Sequence, residues 1–418
     1  MLELFPDSAR IDDGELSLGG TRASELADRY ETPLVVYCEE TLRAQAREIR
    51  AAVPDALVFY GSKAFPNVAI LRLLADEGIG ADVSSLGELA FARAAGMEGE
   101  QLVVHGNAKS DGELRAAAEA GATVVLDAAD EAERAVGADV RRVLMRVTLG
   151  VEADTHEAIR TGHHGSKFGL PQDDALRAIE RARELGLGVD GLHVHVGSQL
   201  ADSVAHEATI ELLAIFAARC RDELNWTPGV VNVGGGFAVR HVLDEPEAPF
   251  GELAQSVVQS VSEAWARHDL PAPRVALEPG RALVGRAGVT LYRVRSVKRL
   301  DGVTWVAVDG GMSDNPRPEL YGARYTALSA SRADQPATET VSIAGLHCES
   351  GDVLIDDVSL PPPRPGDLLA VPATGAYTLA MSSNYNATPR PAAVLVSGGK
   401  AGVIRRRETI DDLISFEF

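Results

Sequence analysis

The chain has 418 residues, of which 45% are hydrophobic and 24% charged, so it can form two domains, or one barrel-sized domain with an appendage, around a large core. Acidic residues outnumber basic ones by 61 to 40. The resulting net charge of −21 argues against nucleic acid or an anionic membrane as a partner.

Neither the cysteines nor the N-terminus indicates export. The three cysteines are odd in number and form no Cys-x-x-Cys motif, which argues against a disulfide framework or a zinc knuckle. The first residues, MLELFPDSARIDDGELSLGG, lack the basic and apolar segments of a signal peptide, and no run of about 18 apolar residues could span a membrane. These features predict a cytoplasmic protein.

Short apolar, β-branched segments alternate with helical patterns through the middle of the chain. A helical pattern such as NVAILRLLADEG ends in glycine, which is typical of a helix C-terminus. Eight strands alternating with helices predict a parallel (β/α)8 barrel. An open doubly wound sheet is the alternative, but no G-x-G-x-x-G follows the first strand. The predicted strands are 57–63, 79–85, 102–106, 123–128, 143–149, 191–199, 230–236 and 275–281.

The sequence pattern changes after residue 283. Strand and turn patterns rich in proline and glycine predict an all-β domain there. The fold class is therefore α/β plus all-β: a barrel with a C-terminal β-sandwich or β-barrel domain. The N-terminal segment joins that domain because it precedes the first barrel strand. The predicted divisions are 1–35, 36–282 and 283–418, and the closing RRRETIDDLISFEF predicts a short surface helix.

Unusual residues stand at the ends of three predicted barrel strands, where the active sites of such barrels lie. Lys63 ends the first strand, Gly234, Gly235 and Gly236 end the seventh, and Glu278 ends the eighth. Consecutive glycines let a phosphate approach backbone N–H groups closely. A lysine opposite a phosphate site suggests pyridoxal phosphate, whose aldehyde forms a Schiff base with an amine. Glu278 would then keep the pyridine nitrogen protonated.

Each of these residues also has a simpler interpretation. A single lysine at a strand end is usually solvated, a triple glycine is usually a turn, and Glu278 could pair with Arg281. His193 and His195 offer a competing site, because His-x-His on a strand presents both rings on one face, as in metal-dependent hydrolases. Such sites need further His and Asp ligands at other strand ends, and this chain has Lys, Gly and Glu there, so we predict no metal.

Longer motifs carry a specific resemblance over nearly the whole chain. They are FYGSKAFPN, GADVSSLGEL, THEAIRTGHHGSKFG, HVHVGSQ, NVGGGF, LEPGRALVGRAG, VDGGMSDNPRPELYG, CESGD and GAYTLAMSSNYNATPRP. With them the chain resembles the alanine-racemase-fold (fold type III) pyridoxal-phosphate decarboxylases, and most closely the branch acting on meso-2,6-diaminopimelate to give L-lysine and CO2. The first motif departs from the usual pattern of the family at Gly61, Ser62 and Phe65.

The resemblance implies a role for each matching residue. Lys63 would bind pyridoxal 5'-phosphate covalently, His195 would stack on its ring, Glu278 would pair with its nitrogen, and Cys348 would be the general acid. The remaining matches are listed by role. Cofactor binding falls to Ser198, Gly235, Gly236, Gly280, Arg281 and Tyr377, and substrate binding to Arg281, Arg317, Tyr321, Glu349 and Tyr377. In the family the Cys and Glu reach the site from a second subunit, so a homodimer with shared active sites is implied.

The main alternative is a sister decarboxylase acting on ornithine, arginine or lysine. Those enzymes usually have Asp after the catalytic Cys, whereas Glu349 follows Cys348 here. Arg317 offers a bidentate fork to a second carboxylate, which favours diaminopimelate. A racemase of this fold would need a tyrosine base in place of Cys348. A non-enzymatic cofactor carrier would lack the β-domain, and an inactive relative would typically lack Lys63 or Cys348.

Overall fold

The computed structural model describes residues 1–149 and 167–418, and these residues form two compact units. One unit comprises residues 46–238 and 248–282, and the other comprises residues 1–45, 239–247 and 283–418. Most of the motif THEAIRTGHHGSKFG, residues 155–166, lies outside the described residues. No helix in the described parts of the chain combines the length and apolar character needed to cross a membrane.

The first unit is a closed barrel of eight parallel strands. The first strand pairs with the eighth through Val58 and Leu277, which closes the barrel and confirms the predicted (β/α)8 fold. The strands are Leu57–Gly61, Gly80–Val83, Leu102–Val104, Thr123–Leu126, Arg142–Thr148, Gly188–His193, Val230–Asn232 and Arg274–Leu277, and a short strand, Leu170–Pro171, pairs with the fifth.

The sixth strand departs most from its prediction. It spans Gly188–His193, so it begins before the predicted 191–199 and ends at His193. The prediction extended the strand through an apolar alternation that continues past its end. His195 and Ser198 consequently lie in the loop that follows, and His193 and His195 do not share a strand.

Helices connect the barrel strands, and polar side chains determine where several of them begin. Asn67 Oδ1 accepts the amide N–H groups of Ala69 and Ile70 at 3.0 and 3.3 Å, which satisfies two donors at a helix start. Ser110 and Glu113 form a reciprocal capping box at another. The helices are Val68–Asp76, Leu86–Ala94, Asp111–Glu119, Glu131–Gly137, Gln172–Glu184, Val204–Leu224 and Phe250–Arg267, with Glu39–Ala52 before the first strand and Arg281–Val284 after the last.

The interior of the barrel is a packed core. Phe59, Val103, Val125, Leu144 and Ala276, from five different strands, form one buried cluster. Because side chains fill the interior, as is usual for this fold, ligands can reach only the ends of the barrel.

The second unit is built around one long strand, Gly288–Leu300. Its first half pairs with Leu34–Cys38 and with Leu368–Val371, and its second half pairs with Val303–Val308. The N-terminal part of the chain thus supplies a strand to this sheet, and that strand extends beyond the predicted division at residue 35. The other strands of this sheet are Leu328–Ser329, Glu339–Ala344, Val353–Leu360, Ala392–Ser397 and Lys400–Arg405, and a small N-terminal sheet contains Arg10–Asp12, Glu15–Leu18 and Thr21–Arg22.

Two buried apolar clusters stabilise this β unit. One joins the N-terminal segment to the sheet and includes Phe5, Leu18 and Leu291, and the other includes Tyr292, Val306 and Ile343. The helices of the unit are few and short: Ala23–Tyr30, Arg317–Tyr321 and Ile410–Ile414. The last of these lies within the predicted C-terminal surface helix and contains no buried residue.

Candidate active site

Glu278 lies directly after the eighth barrel strand, and its side chain is almost fully buried. Three side chains donate hydrogen bonds to its carboxylate. His105 Nε2 and Asn232 Nδ2 donate to Oε1 at 2.7 and 2.6 Å, and His193 Nε2 donates to Oε2 at 3.3 Å. A carboxylate offers about four acceptor positions, so one position is left for a further donor.

Electrostatics keep Glu278 ionised. Burial alone would raise its pKa, but the positive charge of His105 and the hydrogen bonds from His105 and His193 lower the pKa well below its ordinary value. Burial lowers the pKa of His193 to about 3, so this ring is neutral. For His105 burial is outweighed by Glu278 and Asp82, which raise its pKa. The result is a buried carboxylate that favours the protonated form of the imidazole beside it.

Glu278 and the two histidines that contact it are also spaced as metal ligands can be. The ligand atoms of His105, His193 and Glu278 lie within 4.8 Å of one another. His195, the second member of the His-x-His pair, does not belong to this group. The nitrogens concerned are already directed at the carboxylate as hydrogen-bond donors.

Lys63 occupies a short 3-10 turn, Ser62–Ala64, immediately after the first barrel strand. The amide of Gly61 donates to the carbonyl of Pro279 at 3.1 Å, which joins this turn to the residue after Glu278. The side chain of Lys63 is exposed. Burial raises the pKa of Asp82 to about 6 and lowers that of His195 to about 3, and in both cases the positive charge of Lys63 acts to lower the pKa. Lys63 therefore lies within the electrostatic range of the site.

Three residues around Lys63 depart from the usual motif of the family: Gly61, Ser62 and Phe65. The structure shows local contacts at Gly61 and Phe65, but none for the hydroxyl of Ser62. A methyl group on Gly61 would only reach van der Waals distance, 3.4 Å, from Gly280, so alanine would fit there. Phe65 is buried, and its carbonyl accepts the hydroxyl of Tyr60 at 3.1 Å. Ser62 is fully buried, and its hydroxyl has no hydrogen-bond partner among the described residues. Nothing in the structure explains why serine stands at this position.

The glycines after the seventh strand form a turn that admits no side chain. Gly234 and Gly236 have φ angles of +73° and +100°, in the region that favours glycine. A Cβ on Gly234 would lie 2.6 Å from Nδ1 of His195, and one on Gly236 would lie 2.6 Å from the carbonyl oxygen of Gly197. A Cβ on Gly235 would contact the carbonyl oxygen of Glu278. Only glycines let these backbones approach one another, and a turn without side chains leaves backbone N–H groups that a phosphate can approach closely.

His195 and Ser198 lie in the loop after the sixth strand, next to this turn, and both side chains are exposed. Desolvation by nearby barrel residues and then the charge of Lys63 lower the pKa of His195, although its ring keeps contact with solvent. The ring is therefore neutral near pH 7. Gly280 is buried and Arg281 half-buried at the start of the helix Arg281–Val284. The barrel unit thus places Lys63, His195 and Glu278 at the same end.

In the β unit, Arg317 is a buried cation at the start of the helix Arg317–Tyr321. Its Nη1 donates to Nε2 of His241 at 3.0 Å and also to the hydroxyl of Tyr325. Among the described residues, no carboxylate forms an ion pair with it. A buried charge without a counter-ion is costly, so this site is suited to an anionic ligand. Tyr321, at the other end of the helix, is exposed.

Cys348 and Glu349 lie on an exposed loop of the β unit. The side chain of Asn386 accepts the amide of Cys348 at 3.1 Å, and the hydroxyl of Tyr385 donates to Glu349 at 3.4 Å. Tyr377 is half-buried on a separate turn and has a φ of +59°.

Asp352 connects the Cys348 loop with the loop that leads to Arg317. This buried carboxylate accepts the amide of Met312 at 2.6 Å and the amide of His347 at 2.8 Å. It therefore fixes the spacing between these two loops within the β unit.

Sequence reasoning missed several residues of the site. His105 follows a barrel strand and Asn232 ends one, and both contact Glu278. Asp82 lies inside the second strand, 3.6 Å from His105, and His241 contacts Arg317. The strand-end rule could have identified His105 and Asn232. His241 carried no signal, because it is distant in sequence from the motif it supports.

Comparison with known proteins identifies the family. A family model described as "Pyridoxal-dependent decarboxylase, pyridoxal binding domain" matches residues 39–285. The chain is 46% identical to diaminopimelate decarboxylase of Actinosynnema pretiosum subsp. auranticum, over 99% of this chain and 95% of the relative. It is 42% identical to the Bacillus subtilis enzyme, over 97% of this chain and 95% of the relative.

Solved structures agree with the sequence relatives. Crystal structures of diaminopimelate decarboxylase from M. jannaschii, one of them in co-complex with L-lysine, superpose with TM-scores of 0.93 and 0.92 at 33% identity. Each covers 99% of this chain and 98% of the solved chain. A lysine/ornithine decarboxylase from Vibrio vulnificus, with 23% identity and a TM-score of 0.77 over 90% of this chain and 97% of its own, shares the fold. The chain therefore belongs to the pyridoxal-dependent decarboxylases and, within them, to the diaminopimelate decarboxylases.

Proposed function

We propose that this chain removes CO2 from meso-2,6-diaminopimelate and yields L-lysine, using pyridoxal 5'-phosphate held by the residues described above. One observation supports this most directly. Arg317 is a buried cation without a carboxylate partner among the described residues, as a substrate with a second carboxylate requires. Relatives crystallised with L-lysine, the product of this reaction, fit the same substrate class.

The barrel residues fit the cofactor. Pyridoxal phosphate supplies an aldehyde for covalent attachment and an electron-withdrawing ring that accepts the electrons left when CO2 departs. Lys63 would provide the amine, and the glycine turn, with Ser198 and Arg281, would bind the phosphate. The neutral His195 would pack against the ring, and the one remaining acceptor position on Glu278 would hold a proton at the ring nitrogen.

Glu278 can hold that proton because it remains anionic. Its two histidine partners and Asn232 stabilise the negative charge inside the barrel. A buried anion with a depressed pKa cannot take the proton for itself at neutral pH, so the proton stays on the ring nitrogen. This arrangement strengthens the ring as an electron acceptor.

The β-unit residues serve the substrate. Arg317, with Tyr321, binds the distal carboxylate through its planar fork, and Glu349 binds the distal ammonium. Cys348 donates a proton from its Sγ to the carbon that has lost CO2. Asp352 holds the Cys348 loop in place by accepting the amide of His347.

The substrate assignment is tested by measuring CO2 release from meso-diaminopimelate, ornithine, arginine and lysine under identical conditions with added pyridoxal phosphate. We expect turnover of diaminopimelate to exceed that of the other three by at least about 100-fold, because those substrates leave the buried cation unpaired. Faster turnover of ornithine would overturn the substrate assignment and leave the cofactor assignment standing.

We also propose a homodimer in which Cys348 and Glu349 complete the site of the second subunit. The exposure of both residues, next to the exposed apolar side chains of Leu346 and Tyr385, supports this assembly. Mixing Lys63→Ala with Cys348→Ala tests it, because only a hybrid dimer has one intact site. Random reassortment should restore about one quarter of the wild-type rate, whereas no recovery in demonstrably mixed dimers would refute shared sites.

A cytoplasmic location and the absence of a nucleic-acid partner complete the proposal. Three free cysteines, one of them exposed and given a catalytic role, are suited to a reducing compartment. The net charge of −21 disfavours binding to a polyanion.

A further inference from the structure

His206 is a buried histidine that the reaction described above does not use. It lies near the start of the helix Val204–Leu224, and its side chain is 1% exposed. Its Nε2 is 3.0 Å from the carbonyl oxygen of Gly235, the central residue of the glycine turn. Its ring stacks on Phe237 with centroids 5.6 Å apart, and Phe237 packs edge-on against Phe250 at 5.4 Å.

All three carbonyl groups of the glycine turn are bound within the barrel unit. The amide of Glu278 donates to Gly234 at 2.7 Å, and the amide of Leu200 donates to Gly236 at 2.9 Å. Gly235 differs, because its carbonyl is held by a side chain, that of His206. Within the described residues, no hydrogen bond uses the amide groups of Gly235 and Gly236.

Because the peptide group is planar, the direction of each carbonyl fixes the direction of the amide N–H that follows it. In a planar trans peptide the C=O and the following N–H point in opposite directions. The bond from His206 to the Gly235 carbonyl therefore directs the amide of Gly236 away from the helix. Without that bond the peptide between two glycines could rotate easily, because glycine occupies many backbone conformations.

We propose that His206 is a positioning residue for cofactor phosphate: it holds the Gly235–Gly236 peptide so that the Gly236 amide faces the phosphate group. This inference rests on the proposed function. A carbonyl only accepts, so Nε2 carries the hydrogen and the ring is in one defined tautomer. Its Nδ1 has no hydrogen-bond partner among the described residues, and burial lowers the pKa of the ring, which keeps it neutral.

Two substitutions separate the hydrogen bond from the packing. His206→Phe keeps an aromatic ring against Phe237 and loses the donor, whereas His206→Gln keeps an N–H donor and loses the ring. His268→Phe is the matched control, because it removes a histidine bond of similar length, 2.9 Å to Glu211, away from the glycine turn.

The full-length variants are titrated with pyridoxal 5'-phosphate and, separately, with pyridoxal, which lacks the phosphate. We expect His206→Phe to bind pyridoxal phosphate about ten-fold more weakly than wild type, as the loss of one buried hydrogen bond predicts, with pyridoxal affinity nearly unchanged. His206→Gln should stay within about three-fold of wild type, because it retains the donor. His268→Phe should match wild type for both ligands.

The outcomes distinguish this inference from the proposed function. If wild type binds no pyridoxal phosphate, the proposed function fails. If wild type binds it and His206→Phe binds it equally well, the inference is overturned. Equal weakening of both ligands would also overturn it, because that result indicates a general structural role. If the melting curve shows that His206→Phe does not fold, His206→Asn replaces it. We expect the same weaker binding of pyridoxal phosphate, because the shorter asparagine amide cannot reach the Gly235 carbonyl.

Discussion

Replacing Glu278 by glutamine tests the centre of the proposed site, because the change keeps the shape of the side chain and removes its charge. The wild-type carboxylate accepts three hydrogen bonds from His105, His193 and Asn232. Glutamine presents one oxygen and one NH2 group, so at least one of the three donors must face another donor. The cationic form of His105 also loses its closest counter-charge, 2.7 Å away.

The expected magnitudes follow from these contacts. Removing one partner of a buried charged pair costs about 3–5 kcal/mol. We expect a loss near the lower value in the free energy of unfolding, because the amide oxygen can still accept the two hydrogen bonds that Oε1 accepts in the wild type. The rate constant for decarboxylation should fall by about 100- to 1,000-fold, since the ring nitrogen would no longer be held protonated by a preorganised anion.

Urea unfolding and CO2 release measure these two effects in the same preparation. Glu100→Gln is the matched control, because Glu100 is an exposed barrel glutamate that pairs with Arg142 at 2.8 Å. That control should lose less than about 1 kcal/mol and keep its rate. A Glu278→Gln enzyme with cofactor bound and a rate within three-fold of wild type would show that this carboxylate does not support the ring.

The remaining predictions concern the β unit. Burial raises the pKa of Asp314 from 3.8 to about 7, although a hydrogen bond from Tyr292 acts in the opposite direction and lowers it. The folded state therefore holds this proton more tightly than the unfolded state. The stability that it contributes is complete below about pH 4 and is lost as the pH rises through 7. The stability difference between wild type and Asp314→Asn, measured by urea unfolding, should therefore fall by up to about 4 kcal/mol between pH 4 and pH 8; a difference independent of pH would contradict this. Asp352→Asn should lower stability by about 1–3 kcal/mol and lower kcat, because one amide donor loses its acceptor and the Cys348 loop moves; unchanged unfolding and kcat would refute its positioning role. Arg317→Lys should raise KM for diaminopimelate about ten-fold with a smaller change in kcat, because the charge remains but the bidentate fork is lost; steady-state kinetics with unchanged KM would exclude Arg317 from carboxylate binding.

Local sequence patterns predicted which segments form barrel strands more accurately than they predicted where each strand begins and ends. All eight barrel strands were found because each is a short apolar run bounded by turn residues. The sixth was displaced, because the alternation His193-Val-His195 continues the strand pattern while the hydrogen-bonded ladder stops at His193. Alternation in sequence shows which residues could pair, and only the neighbouring strands decide where pairing stops.

The sequence alone determined the fold class and the family, because motifs such as FYGSKAFPN and NVGGGF require particular residue types at particular places. It could not show that His105 and Asn232 donate hydrogen bonds to Glu278, that His241 contacts Arg317, or that the ring of His206 bonds the carbonyl of Gly235. These partners are between 29 and 173 positions apart. Only the closure of the barrel and the packing of the β unit bring them within hydrogen-bonding distance, where burial makes each contact decisive.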